Sequence, residues 1–408
     1  MDPRQRRVTP PATVSPLIAP VVEATREAKE TTTDSRSASV TQRLPEFHIP
    51  SLDGLRALSF FIVFLAHSGL DVGLPFLAMP GGFGVTVFFY LSGFLITTLL
   101  RLERETTGSI SIKKFYLRRA LRILPPFYLS LLLAASLTVV HVLPGHLRGG
   151  VLAAQALHVS NYWFIWRGFE GTPAGTAPYW SLAVEEHFYL LFPLVYLGLS
   201  RMCSNRRQGY ALWTLCAITC AWRCILVLGL GVDDNRTYMG SDTRFDSILF
   251  GCALAVVMNP MLDRPSGSDR LWKAVLLPAG VALLLFTFVY RAPWFRETVR
   301  YSLQGVALTS VFVAAMRFPA WWPFRALNTK PVAFVGVLSY TLYLTHQIVI
   351  TAVQFWLPAL QQLWSLTLAL AIAFAIALAI HRFVEEPAAR IRKRLARGGV
   401  ARAPVAVR

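Results

Sequence analysis

Long apolar stretches, separated by short polar and basic connections, dominate the chain from residue 48 onward. Ten of them are about 15–25 residues long, the length a helix needs to cross a bilayer's hydrocarbon core. They begin near Leu52, Gly82, Ile123, Trp180, Tyr210, Arg244, Leu271, Ser302, Val332 and Leu363. The sixth and eighth are short, as tilted, broken or flank-extended spans would be. An eleventh, weaker run, "VLAAQALHVSNYWFIW" over 151–166, carries His158, Asn161 and several aromatics. It reads as an interfacial or re-entrant segment. The pattern predicts an all-α, polytopic membrane protein of about ten transmembrane helices.

Charge supplies a topology. With a cytoplasmic N-terminus and ten spans, thirty of the forty Lys and Arg residues fall on the cytoplasmic side and six outside. The other four, Arg56, Arg223, Arg244 and Arg382, lie in or at the edge of spans. Counting residues 151–166 as a span would move the basic C-terminus outside, so both termini are expected in the cytoplasm of the cell membrane. Residues 1–47 read as a disordered cytoplasmic tail and 391–408 as a basic one, with the transmembrane domain over 48–390. Hydrophobic residues make up 54% of the chain and charged residues 15%. The net charge of +18 follows the connections between spans, so it argues for a bilayer rather than nucleic acid.

The chemistry sits where polar groups interrupt the runs. "SLDGLRALSFFIVFLAHSG" carries Arg56 and His67 eleven residues apart, three helical turns and about 20°. Both side chains therefore share one face, roughly 16 Å apart along the axis. A neutral, buried imidazole suits general-base work, and an arginine near the cytoplasmic border suits an anion. The plainer reading is a histidine bonded to a neighbouring helix. Arg119 and Arg122 stand one turn apart in "FYLRRALRILPPFY" and could grip phosphates, although no Gly-rich phosphate loop accompanies them. Glu185 and Glu186 lie just inside the fourth run. Adjacent helical residues point about 100° apart, so one of the two is expected to face a site. The other would pair with Arg244 or lie at the interface. Arg244 and Asp246 in "DTRFD" read as an intramembrane ion pair, His346 as a helix-bridging hydrogen bond, and Asp53 as an N-cap. Cys216, Cys220 and Cys224 would line one helix face, with no histidine or carboxylate beside them to complete a metal site.

In this order, "LDGLRAL", "GVTVFFYLSGFLIT", "FYLRRALRILPPFY", "YWSLAVEEHFYLLFPL", "DTRFDSILFG", "LSYTLYLTH" and "VEEP" make the chain resemble the acyltransferase 3 family over residues 48–390. Such proteins are multi-span enzymes that move acetyl or other acyl groups to sugars and related hydroxyl compounds. The resemblance associates Arg119 and Arg122 with the acyl-CoA side, His67 with transfer, and Glu185 with the favoured glutamate. His187 departs from the pattern, standing where similar sequences usually have glutamine, and brings a second histidine toward the site. The short polar stretch after the last run leads to the expectation that no esterase-like domain is appended.

These readings combine into one expectation. Acyl-CoA, with acetyl-CoA as default, docks on Arg119, Arg122 and Arg56, and His67, oriented by Glu185, deprotonates an acceptor hydroxyl. The alternative in which His67 itself carries the acyl group stays open. Ser92 and Tyr90 are candidate oxyanion donors. Compatible acceptors are a carbohydrate, a glycolipid or a macrolide-type compound. No metal or resident cofactor is required. The rival is a transporter or flippase using the buried His, Glu and Arg as a proton relay.

Overall fold

The computed structural model describes residues 49–69 and 81–398, and within them the chain is helical throughout its regular structure. The expected 1–47 tail and the end of the basic C-terminal tail lie outside the described residues. Each of the ten apolar runs is helical. In chain order the first helices are α1 (Leu52–His67), α2 (Gly81–Thr107) and α3 (Ile112–Val139). Two short ones follow, α4 (Gly149–Ala156) and α5 (Ser160–Arg167), then α6 (Trp180–Met202) and α7 (Asn205–Cys224). Next come α8 (Asp234–Met239), α9 (Ser241–Val257), α10 (Leu277–Val289), α11 (Pro293–Glu297) and α12 (Arg300–Arg317). The chain closes with α13 (Lys330–Trp356), α14 (Gln362–Ile380) and α15 (Glu386–Gly398).

Seven helices are long and apolar enough to cross a membrane. An eighth candidate, α12 with the short helix after it, bends by 85°. α1 and α9, at 16 and 17 residues, are shorter. The weak run at 151–166 does not form one rod. It breaks between α4 and α5, where His158 takes a left-handed φ of 55°.

The bundle is layered by burial. α2 and α9 form its centre and pack so closely that each carries a glycine at the contact. A Cβ at Gly93 would sit 2.0 Å from the Ile248 carbonyl oxygen, and one at Gly251 would sit 2.1 Å from that of Tyr90. Small residues let membrane helices approach in this way. α7 and α10 are peripheral, exposing large apolar side chains such as Trp213, Ile218, Leu285 and Phe286. An apolar exterior of this kind belongs against lipid rather than water.

Buried charges tie the layers. Arg223 of α7 holds Asp246 of α9 through two parallel bonds of 2.8 and 2.6 Å, both residues being fully buried. Ser302 of α12 bonds the same carboxylate at 2.6 Å, and Arg223 also donates to the carbonyls of Thr298 and Thr243. This corrects the expected pairing of Asp246 with Arg244. Residues two apart on a helix face different neighbours, so Asp246 reaches α7 while Arg244 turns to aromatic rings. Asp53 is also not the N-cap of α1. Ser51 occupies that position with a left-handed φ of 62°, and Asp53 lies in the first turn, 3.4 Å from Arg56.

Candidate active site

The first halves of α1, α2, α3, α6 and α13 enclose a cavity of about 90 Å³. Arg56, Arg119 and Arg122 line one part of it, and Glu185 and Glu186 another. Local sequence explains how five helices bring them together. Gly336 of α13 lies directly on the backbone of Asp53, where a Cβ would stand 1.9 Å from its carbonyl oxygen. That contact seats the start of α1, and with it Arg56, against α13. Arg119 is held by aromatic faces, its guanidinium carbon 4.9 Å from the Tyr189 ring centre and 5.9 Å from that of Phe115. Tyr340 donates to the Ile123 carbonyl at 3.0 Å and fixes α13 to α3 beside Arg122.

Three guanidiniums lining one small cavity are groups able to grip a multiply charged anion. Arg56 has both Arg119 and Arg122 as electrostatic neighbours. Beside them, Ser92 donates to Glu185 Oε1 at 2.7 Å, so this carboxylate is fixed from α2. Both glutamates reach the lining, although one was expected. The cavity wraps far enough around α6 to take two side chains about 100° apart. Its volume lies below the range of ~300–1000 Å³ usual for ligand pockets.

His67 lies at the far end of α1 and is not among the cavity's lining residues. Its Nδ1 is 2.9 Å from the Val63 carbonyl oxygen, which can only accept. Nδ1 therefore carries the hydrogen of the neutral ring and Nε2 keeps its lone pair, the state a general base requires. The fully buried His346 of α13 repeats the arrangement. Its Nδ1 donates to the Tyr343 carbonyl at 2.7 Å, and its Nε2 lies 3.4 Å from His67 Nδ1. The two ring centres are 5.2 Å apart. His346 thus bridges helices, and it stands beside His67 where Glu185 was expected. Glu185 belongs to the arginine cavity instead. Tyr343 connects the two places, since its ring lines the cavity and packs against His346 with centres 5.6 Å apart.

With this geometry in view, the comparisons with known proteins bear on the whole bundle. The family profile described as an acyltransferase domain, acyltransferase 3, matches residues 49–382. The chain belongs to the acyltransferase 3 family. Peptidoglycan O-acetyltransferase OatA of Listeria monocytogenes is 33% identical over 367 residues, covering 85% of this chain and 57% of that protein. O-acetyltransferase OatA of Staphylococcus aureus strain NCTC 8325 is 30% identical over 318 residues, covering 75% and 51%. A putative O-acetyltransferase of Staphylococcus aureus strain COL is 30% identical over 320 residues, with the same coverage. The chain therefore spans about half the length of the curated relatives it matches. No solved structure matches it significantly.

Within this acyltransferase 3 bundle the other candidate residues separate clearly. Ser92 faces the arginine cavity, whereas Tyr90 is fully buried and donates to Thr309 Oγ1 at 3.0 Å on the far side of α2. His187 turns from the cavity to α9, its Nδ1 2.7 Å from Ser241 Oγ. Arg244 makes no ion pair among the described residues. Its Nη2 donates to Thr86 at 2.9 Å, and its guanidinium carbon lies 4.0 Å from the Tyr301 ring centre. Tyr189, Tyr340 and Tyr343 went unnoticed in the sequence. The signal was present, because each lies one or two turns from a residue already singled out, Tyr189 from Glu185 and Tyr343 from His346.

Proposed function

We propose that this chain is a membrane O-acyltransferase that takes an acetyl group from acetyl-CoA and delivers it to a hydroxyl of a cell-wall glycan. Three features support this reading: family membership, relatives named for peptidoglycan O-acetylation, and the cavity. The observation that carries it is the convergence of Arg56, Arg119 and Arg122 on one cavity that Glu185 also lines. In the proposed topology the seven long helices, the bent α12, and the shorter α1 and α9 make ten spans with both termini in the cytoplasm. The transmembrane domain covers 48–390 in this topology, between cytoplasmic tails over 1–47 and 391–408.

The arginines hold the phosphates of the donor at the cytoplasmic mouth, and its flexible arm carries the thioester inward. Tyr343 closes the inner wall, so its ring must swing aside for the thioester to approach His67. The Nε2 lone pair of His67 then takes the proton from the acceptor hydroxyl as its oxygen attacks the thioester carbonyl. The thiolate of CoA leaves and takes that proton from the His67 Nε2–H, which returns the ring to its neutral form. His346 supports this by accepting from the His67 Nδ1–H, which keeps the lone pair of Nε2 toward substrate. Glu185, held by Ser92, balances the arginine charge when no donor is bound.

The test is release of free CoA thiol from acetyl-CoA by purified protein, with a soluble glycan as acceptor. Acceptor-dependent release at a rate far above that of protein-free controls is expected. A folded protein that neither binds CoA nor releases its thiol, while moving a solute between leaflets, would overturn the reading in favour of transport.

A further inference from the structure

The last helix ends beside the arginine cavity. α14 runs on through one wide π-type turn, His381–Glu385, into α15. Pro387 lacks the N–H that would continue a regular ladder, and the rod readjusts in the turn before it. Glu385 closes that turn, accepting from Thr341 of α13 and lying 2.6 Å from His381 Nδ1. This double hold sets the direction in which α15 leaves. The helix then lies along α3, with Ala388 buried and Arg392 one turn further on the same face. Arg392 is half-buried, while Ile391 beside it is exposed. The helix thus turns an arginine toward the bundle and an isoleucine away from it, the reverse of ordinary amphipathic packing.

The electrostatic neighbours of Arg392 are Arg122 and Arg118 of α3, and no carboxylate stands among them. Arg118 is answered by Glu103, to which it donates at 2.8 Å. Among the described residues neither Arg122 nor Arg392 makes an ion pair. Holding a half-buried guanidinium beside like charges is costly, and an anion shared between them offsets the cost.

The order of these charges matches that of the donor's phosphates. Arg122 lines the cavity with Arg56 and Arg119, and Arg392 faces Arg122 from outside the cavity lining. In CoA a diphosphate ends the pantetheine arm. Beyond it the ribose carries a 3′-phosphate, a monoester with about two negative charges near neutral pH. With the thioester directed inward, the diphosphate meets Arg56 and Arg119, and the monoester reaches the outer arginines.

We propose that Arg392 is a specificity residue for the donor: with Arg122 it holds the 3′-phosphate of CoA and so distinguishes CoA from 3′-dephospho-CoA. The proposal rests on the acyltransferase reading and adds to it a recognition residue on the helix that follows the last span.

Calorimetric titration of the purified full chain with CoA and with 3′-dephospho-CoA tests this directly. The wild type is expected to bind CoA at least tenfold more tightly. Arg392→Gln should weaken CoA binding to the level of the dephospho form, and Arg392→Lys, which keeps the charge without the planar fork, should retain part of the preference. Equal binding of the two by the wild type, or a preference that survives in Arg392→Gln, overturns the proposal. So does an equal loss for both ligands, which would make Arg392 a general attractor of anions, lipid headgroups included. Should Arg392→Gln fail to fold, the wild-type preference and its partial loss in Arg392→Lys decide. Acetyl transfer from acetyl-CoA to a soluble glycan separates this proposal from the reading beneath it. Transfer by a protein that binds the two ligands equally sinks the proposal alone. A preference abolished in Arg392→Gln, in a protein that transfers nothing, sinks the acyltransferase reading and leaves the phosphate site standing. Binding of neither ligand overturns both.

Discussion

Two groups of arginines enter this apolar bundle, and they are treated in opposite ways. Around Arg223 every direction is filled by the Asp246 carboxylate, Ser302 and the carbonyls of Thr298 and Thr243. Around Arg56, Arg119 and Arg122 the counter-charge is incomplete, aromatic faces stand against Arg119, and an open cavity remains. A buried cation that a fold uses for its own cohesion is paired and hydrogen-bonded on all sides, whereas one kept for a ligand is left partly unsatisfied. On the proposed function, the contrast separates structural from functional charge without reference to residue type.

The largest expected effect breaks the first member of the comparison. Asp246→Ala strands Arg223 without its carboxylate, and loss of one partner of a buried pair costs about 3–5 kcal/mol. Folded protein recovered in detergent and its melting temperature should both fall sharply, while Asp246→Asn, which keeps one acceptor, should fall less. His67→Ala is expected to cost activity instead, on the order of 10²–10⁴-fold in transfer rate. Its melting temperature should stay near that of the wild type, because His67 bonds only a local carbonyl and one neighbouring ring.

Weakening the second member should look different again. Arg119→Ala removes a charge-assisted contact worth about 1.5–3 kcal/mol, or roughly 10–100-fold in donor affinity. Stability should change less than in Asp246→Ala, since Arg119 makes no carboxylate hydrogen bond like that of Arg223 and Arg56 stays beside Glu185. Comparable destabilisation by Arg119→Ala and Asp246→Ala would erase the distinction. The smallest effect is expected at Arg382, whose pair with Glu386 is exposed to surroundings. Arg382→Ala should shift stability by no more than about 1 kcal/mol, the ceiling for such pairs.

The sequence carried the helical architecture because hydropathy over long windows depends on composition, which neighbours cannot alter. All ten apolar runs became helices, and the weak run at 151–166 broke at His158 rather than continuing. The three arginines of the cavity were also legible, since Arg119 and Arg122 one turn apart necessarily share a face. Partner choice was not. Asp246 could be bonded to Arg223 or Arg244 until the rotation of α9 was known, and only tertiary packing sets that rotation. The same limit separated Glu185 from His67. Both lie within spans, but their depths and facing directions depend on how α1 and α6 tilt against α13. The Tyr343 ring between the arginine cavity and His346 was hidden for a related reason, because an aromatic in a span is ordinarily core.

The central claim is that the arginine cavity and His67 serve one reaction, the first holding the donor and the second moving the proton. Measuring CoA affinity and acetyl transfer side by side in His67→Ala and in Arg119→Ala tests it most directly. The expected result is a clean split: His67→Ala binds CoA like the wild type and transfers almost nothing, while Arg119→Ala binds CoA weakly and recovers transfer at high donor concentration. Full transfer by His67→Ala, or unchanged CoA affinity in Arg119→Ala, would contradict it.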